Sequence, residues 1–244
     1  MLRLLSISIT LNDVIMPTKH HKDWRAMDKK SKGIEIVRGA ASAGYSVKSG
    51  GISVHTEGQK INLHFDSQQG YVYLVIDCSA SMSGYKLEQA KKGIIDFARD
   101  AIKKEYLVGL ISFDSEASHL CEPVRDMKVL QPCLQNLVPG GTTNMADAIK
   151  LAHTRLKLFD GSRAIVIATD GQADDEQAAL SAGKQARSEG IDIITIGTDD
   201  ADREFLQNLA TRKELGSKVA REQFAKTIAS ASNLLPPPRG IIRK

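Results

Sequence analysis

The chain has 244 residues, a formal net charge of +4, 42% apolar and 25% charged residues, and only 5% aromatics. It is long enough for one large α/β domain plus an extension with a substantial core, and its composition is that of an ordinary soluble protein. No apolar run approaches the ~20 residues needed to span a bilayer, and the three cysteines share neither the pairing of a disulfide framework nor the spacing of a zinc site.

The charge is unevenly spread. Residues 1–70 carry ten Lys/Arg against six Asp/Glu, residues 71–238 carry twenty against twenty-three, and residues 239–244 add three positive charges. The central region is thus slightly acidic, and any nucleic-acid contact would rest on the basic ends alone. Solvated, mobile termini are the preferred explanation of that charge, so nucleic acid is not expected as a partner. The opening segment MLRLLSISITL alternates like a strand and lacks a small-residue cleavage site, so it is read as part of the protein. With odd, unpaired cysteines this predicts a reducing, cytoplasmic setting.

Residues 1–33 offer a short strand, then Pro17 and a polar stretch. Adjacent His20 and His21 cannot share a helical face and are assigned to a loop. Trp24 is read as a plug onto the domain, and Met27 is a second plausible start. Between residues 34 and 65 the pattern turns to strands. Ile52 and Val54, then Ile61, Leu63 and Phe65, alternate with polar residues around Glu57-Gly58, the signature of a hairpin with one buried face. The division expected is a partly β-hairpin extension over 1–70, a main domain over 71–235, and a basic tail over 236–244.

Residues 71–76 form an uninterrupted apolar, β-branched run of the kind buried on both faces of a parallel sheet. The run stops on Asp77, followed by Ser79 and Ser81 at alternate positions and Gly84 before a helical pattern. One carboxylate and two hydroxyls at a strand end make a hard-oxygen set suited to Mg²⁺ or Mn²⁺. Taken alone, Asp-x-Ser-x-Ser is equally a loop and capping sequence.

A helix is predicted over 85–104, with Leu87, Ala90, Ile94, Phe97, Ala98 and Ala101 inward and Glu88, Lys92, Asp96, Arg99 and Lys103 outward. The strand 106–113 then completes a βαβ unit. An edge strand over 117–124 tolerates Pro123, and a helix over 126–137 leads into Pro139-Gly140-Gly141-Thr142-Thr143-Asn144. The helix 145–159 presents Met145, Ala148, Ile149, Ala152, Leu156 and Phe159 inward. A second apolar strand, 164–168, ends just before Asp170. A helix over 175–189, a strand over 191–197, a helix from Asp202, a short strand near Val219 and a helix over 221–234 continue the alternation until Pro236-Pro237-Pro238 stops it. The fold class expected is α/β: a doubly wound, mostly parallel central sheet with helices on both faces.

Three segments now stand at strand or loop ends: Asp77-Cys78-Ser79-Ala80-Ser81, Thr142-Thr143 in a Gly-Gly loop, and Thr169-Asp170-Gly171. Together they resemble a von Willebrand factor type A domain of the bacterial branch, over about residues 71–234. In that family these segments form the metal-ion-dependent adhesion site. The resemblance implies that Ser79 and Ser81 bind Mg²⁺ (or Mn²⁺) directly, with Asp77 and Asp170 acting through water. The family's Thr-x-x-x-x-Ala/Gly-Ile/Leu pattern, matched here at Ala148-Ile149, implies Thr143 as the threonine, with Thr142 the alternative. The ion would then be under-neutralised and open to a carboxylate from a partner's Asp or Glu. The implied role is a non-enzymatic adaptor or assembly factor, as in systems with a MoxR-type AAA+ ATPase, or a component of stress or defence signalling.

The alternative from another class is a metal-dependent hydrolase or phosphotransferase. Ser79 stands where an Asp-x-Asp phosphatase needs its second carboxylate, no phosphate-cradling glycine loop is present, and no His or Lys accompanies the motifs as a base. Asp174, Asp175, Asp199, Asp200 and Asp202 could border the site, and helix-starting or capping positions are the preferred reading. His55, His64, His119 and His153 are dispersed and receive no role, and Cys78 is read as a buried small side chain.

Overall fold

The computed structural model describes residues 69–238 with their side chains, together with the backbone of four strands before them. Those four, β1 (Glu35–Arg38), β2 (Tyr45–Ser49), β3 (Ile52–Glu57) and β4 (Lys60–Phe65), form an antiparallel sheet in chain order. The expected hairpin is β3–β4, with Glu57 opposite Lys60 and Ile52 opposite Phe65. The readings of Trp24, His20, His21 and Met27, the hairpin's buried face, and the tail from 239 lie outside the described residues.

The main body is built on a six-stranded sheet of order β10-β9-β8-β5-β6-β7. Its strands are β5 (Gly70–Asp77), β6 (Tyr106–Phe113), β7 (Ala117–Val124), β8 (Ser162–Thr169), β9 (Ile191–Gly197) and β10 (Gly216–Lys218). All pairings are parallel except β6 with β7. That exception follows from the chain: only a short turn joins β6 to β7, and a parallel pair needs a crossover of a dozen residues or more.

Successive residues of β5 feed opposite faces of the sheet. Val72, Leu74 and Ile76 enter one core with α1 (Tyr85–Lys103), α2 (Met127–Gln135) and α6 (Phe224–Ser230). Tyr73 and Val75 enter the other with α3 (Met145–Leu156), α4 (Glu176–Ser188) and α5 (Arg203–Leu209). The fold is therefore the doubly wound α/β layer structure that the alternating pattern predicts. The inward faces expected of α1 and α3 are the ones buried. Each such Leu, Ile or Phe contributes about 1.5–3 kcal/mol on leaving water.

Three elements differ from expectation. The helix at 126–137 stops at Gln135, with Pro132 inside it. The helix expected over 221–234 is divided into 3-10 turns at Arg221–Gln223 and Ala231–Leu234 flanking α6. Phe159 lies past the end of α3 and stacks on Tyr71 at 4.3 Å. At the far end of the sheet, the carbonyls of Pro236 and Pro237 accept hydrogen bonds from Tyr106 Oη (2.5 Å) and Ser162 Oγ (2.9 Å).

Strand order turns on β5. The crossover through α1 runs to β6 on one side, and β8 pairs with β5 on the other. A crevice outside the carboxyl ends of β5 and β8 is where such a sheet binds ligands.

Candidate functional site

Register brings the two acidic strand ends together. Ile76 pairs with Ala168, so Asp77 closes β5 beside Thr169 and Asp170 at the end of β8. Both carboxylates are buried, Asp77 fully and Asp170 to 1% exposure. A buried charge must be compensated, and each oxygen finds partners. Asp77 Oδ1 accepts from the Ser79 backbone N–H at 2.8 Å, and Oδ2 from Thr169 Oγ1 at 2.5 Å. Burial pushes the Asp77 carboxyl above the usual carboxylate range, the hydrogen bonds from Thr169 and Ser79 oppose that rise, and the nearby Asp170 charge adds to it.

The hydroxyls sit between the carboxylates. After β5 the chain enters a 3-10 turn at Ala80–Met82, which directs Ser79 and Ser81 to the same side. Their oxygens lie 3.0 Å apart, and Ser81 Oγ donates to Asp170 Oδ1 at 2.8 Å. Backbone bonds hold this loop against the 139–144 loop: Gly140 N donates to Cys78 O at 2.8 Å, and Ala80 N to Gly141 O at 3.3 Å. Gly141 has φ +66°, and a Cβ there would stand 2.6 Å from Ser115 Oγ.

The two threonines of that loop differ. Thr142 is exposed, and its hydroxyl donates to Asp174 Oδ2 at 2.5 Å. Thr143 is buried, its backbone N–H donates to the Asp174 carboxylate at 3.0 Å, and its hydroxyl has no hydrogen bond among the described residues. Asp174 thus ties the 139–144 loop to the segment after β8, rather than only preceding a helix as expected. Asp175 does cap α4, accepting from Ala178 N at 2.8 Å, and Asp202 caps α5, accepting from Phe205 N at 2.6 Å.

One group at this site was not anticipated. Lys86, in the first turn of α1, pairs with Asp170 Oδ2 and lies 3.2 Å from Asp199 Oδ2. Asp199, assigned to capping, instead pairs with Lys86 and with Arg221 at 2.7 Å. A lysine therefore does accompany the motifs, held in an ion pair with two carboxylates. A signal was present, because a cation in the first turn of a helix opposes the helix dipole and calls for a specific acidic partner. Burial lowers the Lys86 pKa, but hydrogen bonds to Asp170 and Asp199 outweigh it, so the net shift is upward. An ammonium held in this way is no general base.

Cys78 is buried as expected, its thiol pushed up to about 12 by burial and by the neighbouring Asp77. His153 is also buried, not on a polar face, and meets Glu189 at 3.1 Å. Among the described residues no three His, Cys, Asp or Glu side chains gather as metal ligands. The donors available to a cation are two carboxylates and the hydroxyls between them, which is the chemistry of a hard-oxygen site.

Beyond this geometry, the family model for the von Willebrand factor type A domain matches residues 72–234, and the chain belongs to that family. The fold is similar to the vWF domain of the type V pili tip protein Mfa5 from Porphyromonas gingivalis, at 15% identity and TM-score 0.63, covering 68% of this chain and 94% of that one. It is also similar to BatB from Bacteroides thetaiotaomicron, a conserved hypothetical protein, at 20% identity and TM-score 0.53, covering 67% of this chain and 98% of that one. Proximal thread matrix protein 1 from the mussel byssus, solved with a zinc-occupied MIDAS motif, matches at 18% identity and TM-score 0.56, over 70% of this chain and 48% of its own. No curated protein matches. Among the described residues no helix is long and apolar enough to cross a membrane.

Proposed function

We propose that this chain is a divalent-cation-dependent protein-interaction module, whose site takes a carboxylate from an Asp or Glu of a protein partner. The observation that carries this reading is the convergence of Ser79, Ser81 and Asp170 hydrogen-bonded in series beside buried Asp77. Ser79, Ser81 and Thr143 would hold the ion through their hydroxyls, with Asp77 and Asp170 behind them. Thr143 is preferred to Thr142 because its hydroxyl is the one that makes no other bond among the described residues, whereas Thr142 is engaged by Asp174. When bound, the ion supplies a positive centre for an incoming carboxylate.

The all-oxygen donor set favours Mg²⁺ or Mn²⁺, since Zn²⁺ prefers nitrogen and sulfur. A non-enzymatic role is supported by the pairing of Lys86 with Asp170 and Asp199, which pushes its pKa up and away from what a general base needs. The thiols of Cys78, Cys121 and Cys133 are free, which supports a reducing, cytoplasmic setting and an adaptor role inside a multiprotein system. A MoxR-type AAA+ ATPase is one such partner, and the resemblance of the motifs is what supports it.

The test is capture of partners from native lysate in Mg²⁺ and in EDTA, by wild type and by Ser79→Ala, with captured proteins identified by mass spectrometry. A partner retained in Mg²⁺ and lost in EDTA and in the variant is the expected result. A partner bound equally in all conditions refutes the metal bridge.

A further inference from the structure

The Asp170 carboxylate faces two ways. Oδ1 accepts from Ser81 on the side of the hydroxyls, while Oδ2 is engaged by the Lys86 ammonium. Lys86 is only 14% exposed and shares its charge with Asp199, 3.2 Å away. Asp199 in turn receives the Arg221 guanidinium through both oxygens, Nε at 3.1 and 3.3 Å and Nη2 at 2.7 Å. Asp170, Lys86, Asp199 and Arg221 therefore make a row of alternating charge running from the end of β8 outward.

The placement of Lys86 is costly for its helix. It is the second residue of α1, where backbone N–H groups already present positive charge, and a cation there is disfavoured. Gly84, with φ +75°, precedes α1, and the Lys86 ammonium reaches the carboxylate at the end of β8. What holds the ammonium is the pair of carboxylates it lies between.

We infer that Lys86 is a built-in competitor for the cation at this site, and that Asp199 is the alternative seat onto which its ammonium withdraws. This rests on the cation-dependent reading above. Charge counting gives the consequence. Asp77 and Asp170 carry two negative charges, Lys86 cancels one, and Asp199 with Arg221 is neutral as a pair. A divalent ion added to that set leaves one positive charge in excess. Without Lys86 the same ion would be fully neutralised by the two carboxylates. Lys86 thus weakens the hold on the ion while keeping positive charge for the partner's carboxylate.

The experiment is Mn²⁺ titration followed by electron paramagnetic resonance, with Mg²⁺ by calorimetry, on wild type, Lys86→Met and Asp199→Asn, each checked by thermal melting in EDTA. Lys86→Met keeps the apolar stem and removes the charge, and is expected to bind Mn²⁺ about tenfold or more tightly. Asp199→Asn leaves the ammonium to Asp170 alone and is expected to bind more weakly. Opposite shifts are the diagnostic, because a general loosening of the fold weakens both. Unchanged or weaker binding by Lys86→Met overturns the inference, as does unchanged or tighter binding by Asp199→Asn should Lys86→Met not fold. If wild type binds and Lys86→Met is no tighter, only the role of Lys86 fails. If neither wild type nor a variant binds at millimolar Mn²⁺, the cation reading fails with it.

Discussion

Two adjacent glycines in the 139–144 loop should respond very differently to the same substitution. Gly141 has φ +66°, and an added Cβ would meet Ser115 Oγ at 2.6 Å, Ser115 N at 3.0 Å and Asp114 Cβ at 3.2 Å. An L residue in the left-handed region costs about 1–2 kcal/mol. Forcing a methyl against a fixed backbone nitrogen adds about 1–3 kcal/mol when the neighbour cannot move. Ser115 has little freedom to yield, since its hydroxyl accepts from Thr142 N at 3.1 Å. Gly141→Ala should therefore lose about 2–5 kcal/mol, and with about 2–4 °C per kcal/mol for a domain of this size, Tm falls by about 4–20 °C. Gly140 has no positive φ and nothing within 4 Å of its added Cβ. Gly140→Ala should stay within about 0.5 kcal/mol of wild type. Urea unfolding and thermal melting of the two variants decide the matter, with Mn²⁺ affinity as a second readout, because Gly141 O is the acceptor for Ala80 N beside Ser79 and Ser81. Equal melting temperatures for the two variants would refute the strain assigned to Gly141.

Two further substitutions test the supports of the site and the core. Thr169→Val keeps the shape of a fully buried side chain but removes the 2.5 Å bond to Asp77, and should cost about 1.5–3 kcal/mol in urea unfolding. A variant as stable as wild type would mean that Asp77 does not depend on that hydroxyl. Gly93→Ala lies mid-helix in α1, where alanine normally gains about 1 kcal/mol. Here its Cβ would stand 2.6 Å from the Ala225 carbonyl oxygen and 2.8 Å from Ile228 Cβ, so α6 must move away. The expected sign is reversed to a net loss, read by chemical denaturation, and a net gain would show that α6 yields freely.

The layer order was legible in the sequence because its signal is periodic. The apolar runs at 71–76 and 164–168 and the inward faces of α1 and α3 are repeated many times over, and burial on both faces leaves such runs little alternative to central parallel strands. Asp77, Ser79, Ser81, Thr143 and Asp170 were legible as candidates because each follows a strand or opens a helix, and those ends converge in a doubly wound sheet. Helix ends were less so. The 221–234 segment reads as one apolar stripe, yet it folds as α6 between two 3-10 turns.

What the sequence by itself determined is the order of elements, the two-sided core and the presence of oxygen donors at the ends of β5 and β8. Only the tertiary structure decided which charges face those donors. Lys86 is 84 residues from Asp170 and 113 from Asp199, and no periodicity links them; the pairing of β5 with β8 and the return of the chain after β9 bring them together. Asp174 likewise meets Thr142 and Thr143 because two loops close over one strand end. Ion pairs of this kind depend on distances between chain-distant points, and such distances exist only once the sheet has formed.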